Sequence, residues 1–515
     1  LASVIASNSR TLLVQGRQDL AVLTITVWSA AMVEEEVPPV FSGKGPLALC
    51  LSGGGFRATF FHLGVIRLLQ ELKCLERVTH VFSVSGGSIL AAHMGLNWSN
   101  YTSGKESVFQ NLSDAIVQLG RDDLRGRIVR RWLLLQSRTS SLQQQYDAFF
   151  RGARLHDLTE RTKFHFLTTS MTTGRLCAFT RDAFLVVHED GNVKKFPAEA
   201  QPIAQAVAAS SAFPPLFPPL RLDLPDLPLK EFDKPEYLTD GGVFDNLGIS
   251  RLHCFVSDET KTSFGRIIVS DASAHFDHAP HSRFLLLPSR ASRTTDILMQ
   301  RVASLEAEIW NREQVERLVL MRISDVVDDL DGLFRPQPKK VQRLLKGVRT
   351  DFDAFEVDLI RSLAQHGYEV GFQQALGSVL SMPLDEYRRQ WIARTDNIHV
   401  DERLPWDPCP PGWPNTTNIR KLAQESAAKE VGLRLLERVE KAKPSIGGKP
   451  SPTTQKFLEE TTAAERRKTD RLEALIAAAS TRRIGLWNRC DWAAWVLAFV
   501  ALALIVSAVM IAFHV

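Results

Sequence analysis

Short, unbroken apolar runs alternate with stretches of helical period through the first half of the chain. Leu47 to Leu51 has the length and continuity of a buried strand, and Ala58 to Leu72 follows it with apolar residues at helical spacing. The same pairing recurs at once, as Val78 to Val84 and then Ser88 to Leu96. Two strand-turn-helix units in succession predict parallel strands joined by a right-handed crossover, and so an α/β fold. Later runs extend the picture. Arg266 to Ser270 and Arg317 to Ile323 read as strands, and Asp296 to Leu318 places Leu298, Val302, Leu305 and Ile309 at helical spacing.

The polar punctuation between these runs carries the candidate chemistry. Leu47 to Leu51 ends in Ser52-Gly53-Gly54-Gly55-Phe56-Arg57, and Val78 to Val84 ends in Ser85-Gly86-Gly87. In a parallel sheet both turns lie at the carboxyl edge, where open α/β sheets bind ligands. Ser85 at a strand-to-helix turn would project its hydroxyl toward the free N-H groups of the next helix, the setting of a nucleophilic serine. The usual elbow is G-x-S-x-G, and here Ser83 stands at its first glycine. Gly53, Gly54 and Gly55 leave backbone amides unshielded, which suits an oxyanion hole, with Arg57 orienting the loop. No Gly-Lys-Ser/Thr follows, so a nucleotide-phosphate loop is the weaker reading.

A nucleophilic serine needs a base, and the residues leave two kinds open. Asp240, followed by Gly241 and Gly242, offers a carboxylate that takes the proton directly. Alternatively Asp271, at the end of a strand-like run, would pair with His275, His278 or His281 in a conventional triad. Those histidines otherwise read as solvated positions of a proline-containing loop, and Asp245 and Asp271 as turn or cap residues.

Four segments in order, Gly53-Gly54-Gly55-Phe56-Arg57, Ser83-Val84-Ser85-Gly86-Gly87, Ala209-Ser210-Ser211-Ala212-Phe213-Pro214 and Asp240-Gly241-Gly242, resemble the patatin-like phospholipases. The motifs span Leu47 to Ser273. The resemblance implies a three-layer α/β/α fold with a mainly parallel central sheet. It also implies hydrolysis of lipid acyl esters by a Ser85–Asp240 dyad without histidine, and an oxyanion element of Gly53, Gly54, Gly55 and Arg57. No cofactor or metal is called for. The other outcomes kept open are a catalytically idle or acyl-transferring protein of the same fold at a membrane. The rigid, apolar Phe213 to Pro219 would suit a wall of an acyl pocket.

Composition adds boundaries. A chain of 515 residues exceeds one typical domain, and a formal net charge of +4 argues against nucleic acid as a partner. The basic stretches Arg125 to Arg138 and Lys339 to Arg349 read as solvated helix faces, with contact to anionic lipid as the alternative. Six scattered cysteines, with no CxxC, give no disulfide framework or zinc site. Trp492 to Phe513 is 22 residues without a charge, long enough at about 1.5 Å per residue to match a hydrocarbon core. Trp487, Trp492 and Trp495 and the upstream Arg482, Arg483 and Arg489 predict a single-pass C-terminal anchor with the body of the protein on the cytoplasmic side. The expected organisation is an N-terminal segment 1–40 with a possible true start at Met32, a catalytic domain 41–395, a proline-rich connector and charged helical extension 396–485, and an anchor 486–515. Oligomeric state is open.

Overall fold

The computed structural model describes residues 46–224 (215 excepted), 236–255, 264–273, 318–328, 336–379 (351 excepted), 471–479 and 492–514, with isolated positions between 290 and 308 and between 467 and 470. The N-terminal segment with Met32, the histidines 275, 278 and 281, and the connector 404–414 lie outside the described residues.

The two strand-turn-helix units form as the apolar pattern predicts. Strand β1 (Leu47–Leu51) leads into helix α1 (Gly55–Glu71), and β2 (Val78–Ser83) into α2 (Gly86–Leu96). A short turn of helix, α3 (Trp98–Tyr101), precedes α4 (Glu106–Arg121), α5 (Leu124–Leu133) and α6 (Arg138–Phe150). Then come β3 (Lys163–Ser170), β4 (Leu176–Phe179), β5 (Ala183–Val187), β6 (Val193–Pro197), α7 (Ile203–Ser210), β7 (Leu220–Leu222), β8 (Glu236–Asp240), β9 (Arg266–Asp271) and β10 (Leu318–Arg322). The ten described strands join one sheet, in the order β10-β9-β1-β2-β3-β4-β5-β6, with β8 paired to β3 and β7 to β8. The five strands from β10 to β3 run parallel, and β4 to β6 extend the sheet as an antiparallel meander.

Pairing changes partway along β3. Its first half pairs with β2, His80 opposite Lys163 and Ser83 opposite Phe166. There β2 turns away into α2, and the vacated edge is taken by β8 running antiparallel, with Asp240 opposite Thr168 and Leu238 opposite Ser170. Two further residues of β2 would have brought position 85 opposite Thr168, so Asp240 fills the sheet place that Ser85 leaves.

Apolar side chains on the two faces of the sheet form two buried clusters. The larger packs Leu49, Leu51 and Val81 against α1, α2 and α7 and takes in the helix Val357–Val379. The smaller collects Ala48, Cys50, Phe82, Val84, Val269, Phe255 and Phe264. Leu472, Ile476 and Ala479 of the segment 471–479 pack on the larger cluster. The second basic run is held in ion pairs, Lys340 with Glu473 and Arg349 with Asp353.

The C-terminal helix spans Trp492–His514, with side chains described as far as residue 507. Among the described residues no helix is long and apolar enough to cross a membrane, so the structure gives no transmembrane span for Trp492 to Phe513.

Helix α1, which carries the glycine loop at its start, is seated by backbone-to-backbone contact with Val357–Val379. A Cβ on Gly64 would strike the Ala364 carbonyl oxygen, and one on Gly367 the Phe61 carbonyl oxygen. Gly64→Ala and Gly367→Ala are each expected to destabilise the protein by about 1–3 kcal/mol, the crowding outweighing the gain in helix propensity. Chemical denaturation of each variant checks this, and unchanged midpoints would contradict the close crossing.

Candidate active site

Ser85 sits at the sharp junction the sequence predicts. With φ 51° and ψ −119° it caps α2 in a conformation that costs an L-residue about 1–2 kcal/mol. The turn closes because the two residues after it have no side chain. A Cβ on Gly86 would collide with the Gly55 carbonyl oxygen, and one on Gly87 with that of Leu51. The strained residue is tied down through its own amide, which donates to the Ser210 carbonyl at 3.1 Å and to Ser210 Oγ at 3.0 Å.

Ser210 Oγ is one end of a chain of hydroxyls. Ser88 Oγ lies 2.9 Å from it and donates to Ser83 Oγ at 3.1 Å, and Ser83 Oγ donates to the His165 carbonyl at 3.2 Å. Ser88 has one proton, already given to Ser83, so the 2.9 Å bond must be donated by Ser210. The chain therefore runs in one sense from the Ser85 amide through Ser210, Ser88 and Ser83 to a strand carbonyl, each bond polarising the next. Ser83, the departure from the usual elbow, is a working link in it. Sequence reading missed Ser88 and valued Ser210 only as part of a motif, because no local pattern shows which serines meet.

Asp240 ends β8 and is 2% exposed. Burial pushes its carboxyl up to about 7, against hydrogen bonds from the Gly242 amide and the Ser85 side chain that pull it down. Oδ1 accepts the Gly242 amide at 2.7 Å. Its backbone is pinned by the segment that also holds Ser85: the Asp240 amide donates to the Ala212 carbonyl at 3.2 Å, two residues beyond Ser210. One short stretch after α7 thus sets the spacing of serine and carboxylate. A buried carboxyl near 7 in hydrogen-bond contact with a strained serine has the basicity a proton acceptor needs at neutral pH.

The glycine loop lies beside Ser85, and an ideal Cβ on Gly53 would be 3.3 Å from Ser85 Cβ. Its amides are not equivalent. The Gly53 N-H donates to the Asn246 carbonyl at 3.2 Å. Gly54, Gly55 and Gly86 stand at the starts of α1 and α2, where helices leave N-H groups unsatisfied, and their amides make no hydrogen bond among the described residues. Gly55 has φ 56°, and a Cβ there would enter the Thr350 carbonyl. Arg57 is buried and spans three carbonyls, Lys346 and Val348 from Nη1 and Ala272 from Nη2, at 2.8–2.9 Å. It clamps the loop from behind. Asn246, absent from the sequence reading, joins the turns: its carbonyl takes Gly53 and its side-chain amide donates to Ser273 Oγ at 2.8 Å.

The other carboxylates are turn residues. Asp245 accepts the amides of Leu247, Gly248 and Ser250 and the Ser250 hydroxyl, and Asp271 accepts the Ser273 amide at 2.8 Å. His62 is buried under the loop with Nε2 on the Ser52 carbonyl and Nδ1 on Ser270 Oγ, and burial lowers its pKa to about 4, so it stays neutral. Among the described residues no group of three or more His, Cys, Asp and Glu could hold a metal ion.

Residues 49–253 match the family model described as Patatin-like phospholipase. Among solved structures the chain is similar to VipD from Legionella pneumophila, at 15% identity over 88% of this chain and 90% of that one, with a TM-score of 0.30. It is also similar to human GIVD cytosolic phospholipase A2, at 14% identity over 70% of this chain and 63% of that one, with a TM-score of 0.40. At these scores neither likeness bears on the site. No curated protein matches the chain.

Two outcomes are expected from this geometry. Ser210→Ala removes the bond to the Ser85 amide, about 1 kcal/mol, together with the bond donated to Ser88, and is expected to lower kcat roughly 3- to 10-fold with KM little changed. A fall in KM affinity alone would contradict a positioning role. For Asp240 the folded-state pKa, about 7, lies above the ordinary 3.8. Its contribution to stability is full below the unfolded value and is lost as pH rises through 7. Asp240→Asn should therefore melt higher than the parent above neutral pH, with the difference vanishing near pH 4, as calorimetry across pH would show.

Proposed function

Because residues 49–253 form a patatin-like phospholipase domain, we propose that the protein is a lipid acyl hydrolase working through an acyl-enzyme on Ser85 with Asp240 as its base. The observation that carries this reading is the placement of Asp240, buried, raised to about 7 and hydrogen-bonded to Ser85, in the sheet position that β2 vacates. Asp240 takes the hydroxyl proton as Ser85 Oγ attacks the ester carbonyl. The developing oxyanion is held by the amides of Gly54, Gly55 and Gly86, preset by the two helix starts and clamped by Arg57. The leaving alcohol recovers the proton from Asp240. Water then gives a proton to the same carboxylate, attacks the acyl carbonyl and releases the fatty acid, restoring Ser85. The chemistry asks for no metal or cofactor.

The reading includes attachment to a membrane through the C-terminal helix. Its support is the charge-free stretch Trp492 to Phe513, the arginines before it, and exposed Phe499, Leu502, Leu504 and Ile505 on the helix. With the positive flank on the inner side, the catalytic domain would face the cytoplasm.

Cleavage of a water-soluble acyl ester by purified protein tests the chemistry. Ser85→Ala and Asp240→Asn are each expected to lower kcat/KM by roughly a thousand-fold or more. The parent's kcat/KM should rise with pH through about 7 and level off above, as the free carboxylate forms. Substantial activity in Asp240→Asn would overturn the dyad.

A further inference from the structure

The turn between α5 and α6 is built in a way that neither the acyl chemistry nor the packing of the domain uses. Trp132 and Leu133 end α5 at 50% and 46% exposure, and Leu135 just beyond is 97% exposed. The amides of Leu135 and Gln136 donate back to the carbonyls of Trp132 and Arg131, the two bonds of a Schellman C-cap. Leu135, at φ 68°, thus occupies the left-handed position that glycine ordinarily fills. A leucine there costs the backbone about 1–2 kcal/mol and holds its whole side chain in water. It is unfavourable on both counts in an isolated domain, which directs attention to a second phase.

Neighbouring features identify that phase. From 121 to 138 six arginines stand against two aspartates, a formal +4 in eighteen residues. Arg127 pairs with Asp122, Arg130 with Asp123, and Arg125 with Asp353 from another element. At the tip the Arg138 guanidinium lies 5.2 Å over the Trp132 ring, a cation beside an interfacial aromatic. The C-terminal helix packs against α5. Ala493 and Ala494 at its start are buried, while Phe499, Leu502, Leu504 and Ile505 further along are each more than half exposed. Finally, α5 begins on the catalytic side. The Arg125 amide donates to the Phe352 carbonyl at 2.8 Å, two residues from the Thr350 carbonyl that presses on Gly55.

We infer that the α5–α6 tip is a membrane-contact surface for a bilayer bearing anionic headgroups. Leu133 and Leu135 enter the acyl layer, Trp132 and Arg138 lie at headgroup level, and the arginine excess selects negative charge. The tip acts together with the C-terminal helix, and its use in catalysis rests on the acyl-hydrolase reading.

The full chain reconstituted into phosphatidylcholine vesicles, with and without phosphatidylglycerol, tests the surface by hydrogen exchange. Amides of 131–136 are expected to exchange about tenfold more slowly in the anionic vesicles. Trp132→Ser, Leu133→Ser and Leu135→Ser together should lower hydrolysis of vesicle lipid about tenfold, with cleavage of a soluble ester unchanged. Should the triple variant fold poorly, Leu135→Asn replaces it. Asparagine suits φ 68°, so this variant should melt no lower than the parent yet lose part of the vesicle activity. Equal exchange in both vesicles, or full vesicle activity in the variants, would overturn the inference. So would slowing in the parent at high protein concentration without lipid, which would make a second copy the occupant. Protection of the tip with no ester cleaved would refute the acyl-hydrolase reading and leave the surface standing.

Discussion

The site depends on one substitution of strands. Where β2 leaves the sheet at Ser83, β8 enters from the opposite direction and ends on Asp240. A buried carboxylate is costly because ionisation loses water without a compensating charge. Here the sheet forces that burial, and the result is a carboxyl raised to about 7 in contact with a serine that is itself strained. Both unfavourable features are carried by the surrounding ladder, which is the ordinary relation between a rigid scaffold and a reactive site.

The ladder holds because main chains approach one another without side chains between them. Gly86 lies on Gly55, Gly87 on Leu51, and Gly53 beside Ser85 and Asn246. These contacts bring the starts of two helices together beside Ser85, where their first amides have no partner within the helix. Arg57 holds the same loop through three carbonyls. The stretch from Ser210 to Ala212 then fixes the distance between serine and carboxylate, bonding to the amide of each.

The strands and helices of the first two units were legible because each buries one face, and burial prints its period on the sequence. Ser85, Gly54, Gly55 and Asp240 were legible as turn residues after apolar runs, and the family resemblance gave them roles. The engagement of Gly53 by Asn246 was not, nor the chain from Ser210 through Ser88 to Ser83. Ser210 and Asn246 each lie more than a hundred residues from the partner they engage, Ser88 and Gly53, and such pairs leave no local spacing to read. The arginines of α5 read as a solvated face, but the exposed tip of Trp132, Leu133 and Leu135 depends on where the Schellman turn points them.

By itself the sequence determined which segments are strand or helix, where the glycine turns fall, and which serine and carboxylate are candidates, since local periodicity and turn chemistry are written residue by residue. Only the tertiary structure decided that Asp240 is basic, which loop amides stay open, and why a serine stands at position 83. Those properties come from desolvation, register and long-range hydrogen bonds, and each exists only once distant parts of the chain have met.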